Sequence, residues 1–322
     1  MKYLLTAVAA FIILTTTAQQ VTDSVMTAPG RQNLFSSMQL LGKVSDGSNR
    51  LDINKILYGK ITRDSLLQEP YNKWFTKGMT EYNINTETKN KLLQQSTKGI
   101  SIEIFFGSWC GDSKREVPRF IKMLDEIKFN MANTKLVCVG GSDSLYKQSP
   151  QGEEKGKGIF RVPVFIVYKN GIEINRINEY PVMSLEKDLL SILTGEAYAP
   201  NYKTFGIINK WLNDGTLSDT NIVPRSLAEQ LKPLVSNENE LNSLAYLLLK
   251  HDMKKEALIV FWINANLFPE SQNVLSSLGE GYLRNGNADK AITFLESSIL
   301  LTKDPATLKS ILALLYEAKG FK

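Results

Sequence analysis

The residues in this 322-residue chain with the clearest chemistry are Trp109-Cys110-Gly111-Asp112-Ser113-Lys114-Arg115. A cysteine here follows an apolar run, Ile100 to Phe106, closed by Gly107, and precedes Lys114 to Ile127, where apolar residues recur at helical spacing. The pattern predicts a buried strand, a turn and a helix, with Cys110 at the helix start. There the unpaired backbone N–H groups and the helix dipole favour thiolate over thiol. Lys114 and Arg115 would push the same way, while Asp112 opposes them. The other cysteine, Cys138, lies on the next apolar segment, Lys135 to Val139; it reads either as a small core thiol or as a resolving partner for Cys110. Two cysteines are too few for a disulfide framework and have no zinc spacing, so no metal and no cofactor is expected. The single histidine, His251, lies far along the chain, which disfavours a Cys-His or Ser-His-Asp mechanism.

A second stretch, Arg161-Val162-Pro163-Val164-Phe165-Ile166-Val167-Tyr168-Lys169-Asn170-Gly171, reads as a proline-led strand and a tight turn. Together the two stretches resemble the thioredoxin superfamily, whose W-C-x-x-C motif stands on such a strand-turn-helix and faces a cis-proline segment. Ser113 replaces that family's second, resolving cysteine, so the motif is C-x-x-S. The resemblance implies Cys110 as nucleophile, Ser113 at the resolving position, and Trp109, Val162 and cis Pro163 as the surface that meets an extended substrate peptide. It also draws attention to Glu103. The family's buried proton-relay acid corresponds to Ile104, one residue later, which on a strand is the opposite face. Glu103 therefore reads as a relay, as a structural ion pair or as a mark of a partly exposed strand, and together with Lys114 it is a candidate supporting residue.

Elements around the motif place it in an α/β domain, a central mixed sheet flanked by helices, from Leu51 to Gly195. Ile56 to Ile61 predicts an edge strand. A helix from Thr62 toward Phe75 would carry Tyr71, Trp74 and Phe75 on its core face, and Asn83 to Gln95 predicts another. Ser144 to Gly158 is polar and glycine-rich and reads as a surface loop bordering the groove. Ile172 to Ile177 completes a hairpin with Val164 to Tyr168, and Ser184 to Leu193 predicts a closing helix.

Residues 196–240 read as a helical linker. From Leu241 the small residues repeat: Ala257 and Ala291 stand 34 residues apart, each after a Ser-Leu-small triplet. That spacing is the tetratricopeptide period, and residues 241–322 resemble such repeats. The expected helices are Leu241 to Lys250, Lys254 to Asn266, Gln272 to Arg284, Ala288 to Leu301 and a capping Pro305 to Ala318. Such an array implies a protein partner on its concave face, or else a structural annex to the first domain.

At the other end, Lys2, the apolar Tyr3 to Leu14 and Thr16-Thr17-Ala18 read as a signal peptide over residues 1–18, followed by a mobile lead-in, 19–50. Export would place the protein in a periplasmic or extracellular space. The net charge of +5 is spread along the chain without a long basic run, so no nucleic-acid partner is expected. The implied function is an exported thiol-disulfide oxidoreductase of monothiol type. It would reduce or isomerise protein substrates bearing thiols or disulfides, with an external thiol reductant releasing the product. The alternative is a non-catalytic binding module, a chaperone-like adaptor built on the same groove and repeats.

Overall fold

A computed structural model describes residues 50–51 and 56–320. The expected signal peptide, 1–18, and nearly all of the lead-in, 19–50, lie outside the described residues. Within them, a mixed α/β sheet with flanking helices is followed by a C-terminal helical array. The strands are β1 (Arg50–Leu51), β2 (Leu57–Ile61), β3 (Ile100–Phe106), β4 (Thr134–Cys138), β5 (Val164–Lys169) and β6 (Ile172–Asn178), in the spatial order β1-β2-β4-β3-β5-β6. Five of them, β2 to β6, form the body of the sheet, and the two-residue β1 extends its edge. β3 and β4 run parallel, with Phe106 opposite Cys138, and every other neighbouring pair is antiparallel.

β3 is central, buried along one face and half-buried at Ser101 and Glu103 on the other. Ile100, Ile102, Ile104 and Phe106 face a core built with helix α4 (Gly111–Glu126), which contributes Val117, Phe120, Ile121 and Leu124. Phe120 stacks on Phe165 of β5 with ring centroids 4.2 Å apart. The other face gathers Phe105, Val137, Val139, Val162, Val164 and Ile166. Among the described residues no helix contributes a buried residue to this cluster; Ile159 and Val162 come from the connection between β4 and β5.

The helix expected from Thr62 to Phe75 is two helices, α1 (Arg63–Leu66) and α2 (Asn72–Glu81), with Pro70 between them. Proline lacks the N–H that a continuing helix would donate. Tyr71 and Phe75 are nevertheless buried. α3 (Thr86–Leu93) starts at Asn85, whose side chain accepts from Thr88 N–H. The hairpin turns at Asn170 and Gly171, both at positive φ, as a two-residue turn of this hand requires. α5 (Leu185–Thr194) is capped by Ser184 and stopped by Gly195 at φ 74°.

α6 (Thr204–Asn213) and α7 (Pro224–Leu231) lead into α8 (Glu238–Lys250), α9 (Lys254–Leu267), α10 (Gln272–Arg284), α11 (Ala288–Leu301) and α12 (Pro305–Ala318). Successive helices from α8 onward pack on one another. The small residues at the repeat spacing explain how: Ala257 and Ala291 are fully buried, and a Cβ on Gly279 would sit 2.7 Å from Leu295 Cγ and 3.3 Å from Ala291 O. The α6–α12 core takes in Phe160, with Tyr146 against it, so the β4–β5 connection packs onto the helices. Ser144 to Gly158 is therefore not a plain surface loop: Lys147 and Ser149 are buried, and the Ser149 hydroxyl bonds to Glu153 and Glu154. Its polar residues satisfy one another inside the fold, which polarity alone does not reveal.

Two substitutions test this packing by thermal unfolding. Phe120→Ala should cost about 3–5 kcal/mol, the range for a buried aromatic removed from a close-packed core. Gly279→Val should cost about 1–3 kcal/mol by overpacking the α10–α11 crossing.

Candidate active site

Cys110 sits where the sheet demands a reversal. β3 ends at Phe106, and the chain turns through a Cys110 N–H to Gly107 O bond of 2.9 Å before α4 begins at Gly111. Cys110 is the N-cap of α4 in extended conformation, and its side chain does not cap the helix. Instead Sγ donates to Val162 O, the carbonyl of the cis Val162–Pro163 peptide, at 3.3 Å. The thiol is partly exposed and free, beside the apolar cluster of Val139, Val162 and Val164.

Trp109 is held from three sides. Its Nε1 donates to Val139 O at 3.1 Å, and its ring meets Tyr146 with centroids 5.3 Å apart. A Cβ on Gly107 or Gly141 would stand 2.6 or 2.7 Å from the indole, so only glycine lets it lie this close to the backbone. Ser113 is fully buried beneath the turn, and its Oγ accepts from Gly107 N–H at 3.2 Å. It secures the loop that carries Cys110.

Lys114 donates its backbone N–H to Cys110 O at 3.0 Å as the first closed turn of α4. Arg115 is engaged by Asp112 at 2.7 Å and by the buried Glu116 at 2.6 Å. Its charge is largely offset by these two carboxylates, so the support expected from Arg115 is weaker than a free guanidinium would give. Asp112 lies three residues before Arg115, the helical spacing that brings side chains together, and Glu116 is its neighbour in sequence.

Glu103 is held by Lys157 at 2.5 Å, Lys135 at 3.2 Å and the Tyr168 hydroxyl at 2.9 Å. Burial by itself would raise its pKa. Hydrogen bonds from Lys157, Tyr168 and Lys135 outweigh burial and hold the carboxyl below its usual value. It is an ion-pair hub, and the next residue, Ile104, is fully buried among apolar residues.

Cys138 does not join Cys110. Its side chain faces the α4 core with Leu136 and Phe106, whereas Val137 and Val139 face the side on which Cys110 packs. Adjacent strand residues point to opposite faces. Burial pushes the Cys138 thiol up to about 12, against hydrogen bonds with Ser108 that lower it. A thiol so placed is neither ionised nor accessible at neutral pH.

Sequence reasoning did not find the charges around the groove. Lys147 is buried and donates to Phe160 O at 2.7 Å. Arg161 meets Glu179 at 3.5 Å and Ser243 of α8 at 2.9 Å, and its guanidinium lies 5.3 Å from the centre of the Tyr202 ring. The Tyr202 hydroxyl also bonds Glu179. Lys250 of α8 pairs with Asp143 at 2.6 Å, and the neighbouring His251 Nε2 is 2.7 Å from Tyr146 O. These partners lie tens of residues apart in the chain, beyond any local pattern. The one available signal was the presence of two basic residues, Lys147 and Arg161, on either side of the proline segment's approach.

Among the described residues no group of His, Cys, Asp and Glu is placed to hold a metal ion, and no helix is long and apolar enough to cross a membrane. A scan against protein-family models found no match for this chain, and a search of curated proteins found none. The class supported by the structure is a mixed α/β sheet domain with a C-terminal helical array.

Two measurements check the geometry. Native protein treated with a thiol reagent near neutral pH should modify Cys110 alone, with Cys138 reacting only after unfolding; modification of both at equal rates would contradict the placement on opposite faces. Ser113→Ala leaves Gly107 N–H without its buried acceptor and should cost about 1–3 kcal/mol in denaturant unfolding.

Proposed function

We propose that this chain is an exported thioredoxin-like thiol-disulfide oxidoreductase of monothiol type, followed by tetratricopeptide-like repeats. The observation that carries the reading is Cys110: a partly exposed, free thiol at a helix N-terminus, facing Val162 O next to Pro163, with the second cysteine turned into the opposite core. In this reading the Cys110 thiolate attacks one sulfur of a client disulfide. The S–S bond breaks, the departing client sulfur leaves as a thiolate, and the other sulfur is held by Cys110 as a mixed disulfide. Ser113 cannot displace it, because its hydroxyl is a poor nucleophile toward sulfur and is occupied by Gly107 N–H. An external thiolate then attacks the Cys110 sulfur, the client sulfur leaves as a thiolate, and a second external thiolate displaces Cys110 from that new mixed disulfide, so the two external thiols leave as their own disulfide. Where another client thiolate attacks the bound client sulfur instead, Cys110 departs as a thiolate and the client is released rearranged.

Trp109, Val162 and Pro163 would form the wall along which an extended client segment lies. Lys114 completes the helix start. Glu103 has the role of a structural ion pair rather than a relay, since three donors already hold it. The helical array would present its surface to a protein partner. Residues 51–195, 196–240 and 241–322 are the proposed domain, linker and repeat divisions.

The reading predicts covalent capture. Nonreducing gels of the protein with client extracts should show adducts that vanish with reductant and with Cys110→Ala and persist with Cys138→Val. Ser113→Cys should shorten the life of those adducts and raise disulfide reduction with a dithiol donor. Wild-type protein that holds clients without any Cys110-dependent adduct would instead support the binding-module reading.

A further inference from the structure

Where the β4–β5 connection packs onto the helices, the seam is not filled. Between residues 147–160 of that connection, α6 and the C-terminal end of α8 lies a cavity of about 330 Å³. That volume is within the range of small-molecule sites and is the share of liquid taken by about eleven waters. Interiors are close-packed, so a space of this size calls for a cause. Its walls are held in place. Asn209 and Asn213, one helical turn apart on α6, both donate to Gly156 O, at 3.0 and 2.9 Å, and tie the loop to the helix. A Cβ on Gly158 would stand 2.8 Å from Asn209 Cγ, so only glycine lets the loop lie this close.

The lining carries one unmatched charge. Lys147 is 7 % exposed, and its amine donates to Phe160 O at 2.7 Å. Among the described residues it makes no ion pair with a carboxylate, although lysine is almost never buried without one. An ammonium has three N–H donors, so one carbonyl leaves most of its capacity unused. Burial pushes this amine down to about 8, the mark of a cation held away from water. The nearby carboxylates are engaged elsewhere: Glu154, on the same cavity wall, accepts from the Ser149 N–H and hydroxyl; Glu179 is held by Arg161 and Tyr202, and Asp143 by Lys250. His251 also lines the cavity, and its Nε2, 2.7 Å from Tyr146 O, is a donor because a carbonyl can only accept. Lys155 adds a second, exposed positive charge. The rest of the wall is apolar: Ile159, Phe160, Leu212, Leu247, Leu248 and Met253.

We propose that this cavity binds a small monocarboxylate with an apolar body, its carboxylate on the Lys147 ammonium and its body against Leu212, Leu247 and Met253. A charge-assisted hydrogen bond would use the donors that the protein leaves idle, and the apolar wall would take the rest of a molecule of about ten non-hydrogen atoms. One buried ammonium matches one carboxylate; a phosphate, with up to two charges and more oxygens, would leave charge unmatched beside Phe160 O and Glu154. The ligand would touch the β4–β5 connection, α6 and α8 together, so binding would stabilise their packing. This inference does not rest on the chemistry of Cys110.

The test is titration calorimetry of the full chain at neutral pH with hexanoate, octanoate and phenylacetate. The best of them should bind at one site with a dissociation constant of about 0.1–1 mM, the strength that about ten atoms deliver, and should raise the unfolding temperature. 1-Octanol, which keeps the body and lacks the charge, should bind the wild type about tenfold more weakly than octanoate. Lys147→Met should weaken octanoate about tenfold and leave 1-octanol unchanged, while Lys147→Arg keeps most of the octanoate affinity. Leu212→Trp fills the cavity and should abolish binding. Absence of saturable binding by all of these carboxylates up to about 10 mM would overturn the proposal, as would equal affinities for octanoate and 1-octanol or undiminished binding to Leu212→Trp. The wild-type comparison of octanoate with 1-octanol decides the matter should Lys147→Met fail to fold. Carboxylate binding in a protein whose Cys110 forms no client adducts would leave this site standing and overturn only the oxidoreductase reading.

Discussion

The parallel pairing of β3 with β4 is the constraint on which the rest of the site depends. A parallel pair needs a crossover, and α4 supplies it, lying on the face where Phe120 stacks on Phe165. Because the helix must begin where β3 ends, the turn Gly107 to Cys110 is pinned between a buried strand and a helix N-terminus. Ser113 and Trp109 then lock it, one from beneath through Gly107 N–H and one from the side through Val139 O. Cys110 is thus carried by a short turn whose two ends belong to the core.

The same pairing decides the fate of the second cysteine. Phe106 and Cys138 are partners across the ladder and point together into the α4 side, while Phe105, Val137 and Val139 pack in a separate buried cluster on the reverse face. A single-residue change of register would exchange these faces. Cys138 is turned into the core opposite the cluster on which Cys110 packs. In a protein proposed to work with one thiol, that separation keeps an internal disulfide from competing with a client.

The connection between β4 and β5 joins the two halves of the described chain. Its inner side, with Ile159 and Val162, completes the groove face of the sheet; Phe160 enters the core of the helices, and Tyr146 lies between Trp109 and the Lys250–His251 end of α8. Arg161 repeats the bridging with polar groups, contacting Glu179 on one side and Ser243 on the other. Helices that read in isolation as an appended array therefore form part of the wall near Cys110.

Local chemistry made much of the fold legible without coordinates. β-branched and aromatic runs marked β3 to β6, Asn170-Gly171 marked the hairpin, and small residues 34 residues apart marked helix crossings that recur as Gly279 against Leu295 and Ala291. The position of Cys110 at a strand-to-helix turn followed from the change of hydrophobic period on either side of it. These are short-range signals, each set within one or two turns of chain. The neutralisation of Arg115 was a near miss, since its partners Asp112 and Glu116 were visible but their competition for the guanidinium was not. Only the tertiary structure decided which face Cys138 takes, that the polar segment around Lys147 is buried, and that Arg161, Glu179, Tyr202 and Ser243 meet. Those outcomes depend on strand register and on contacts between residues tens of positions apart, where a side chain's surroundings are set by packing and not by its neighbours in sequence.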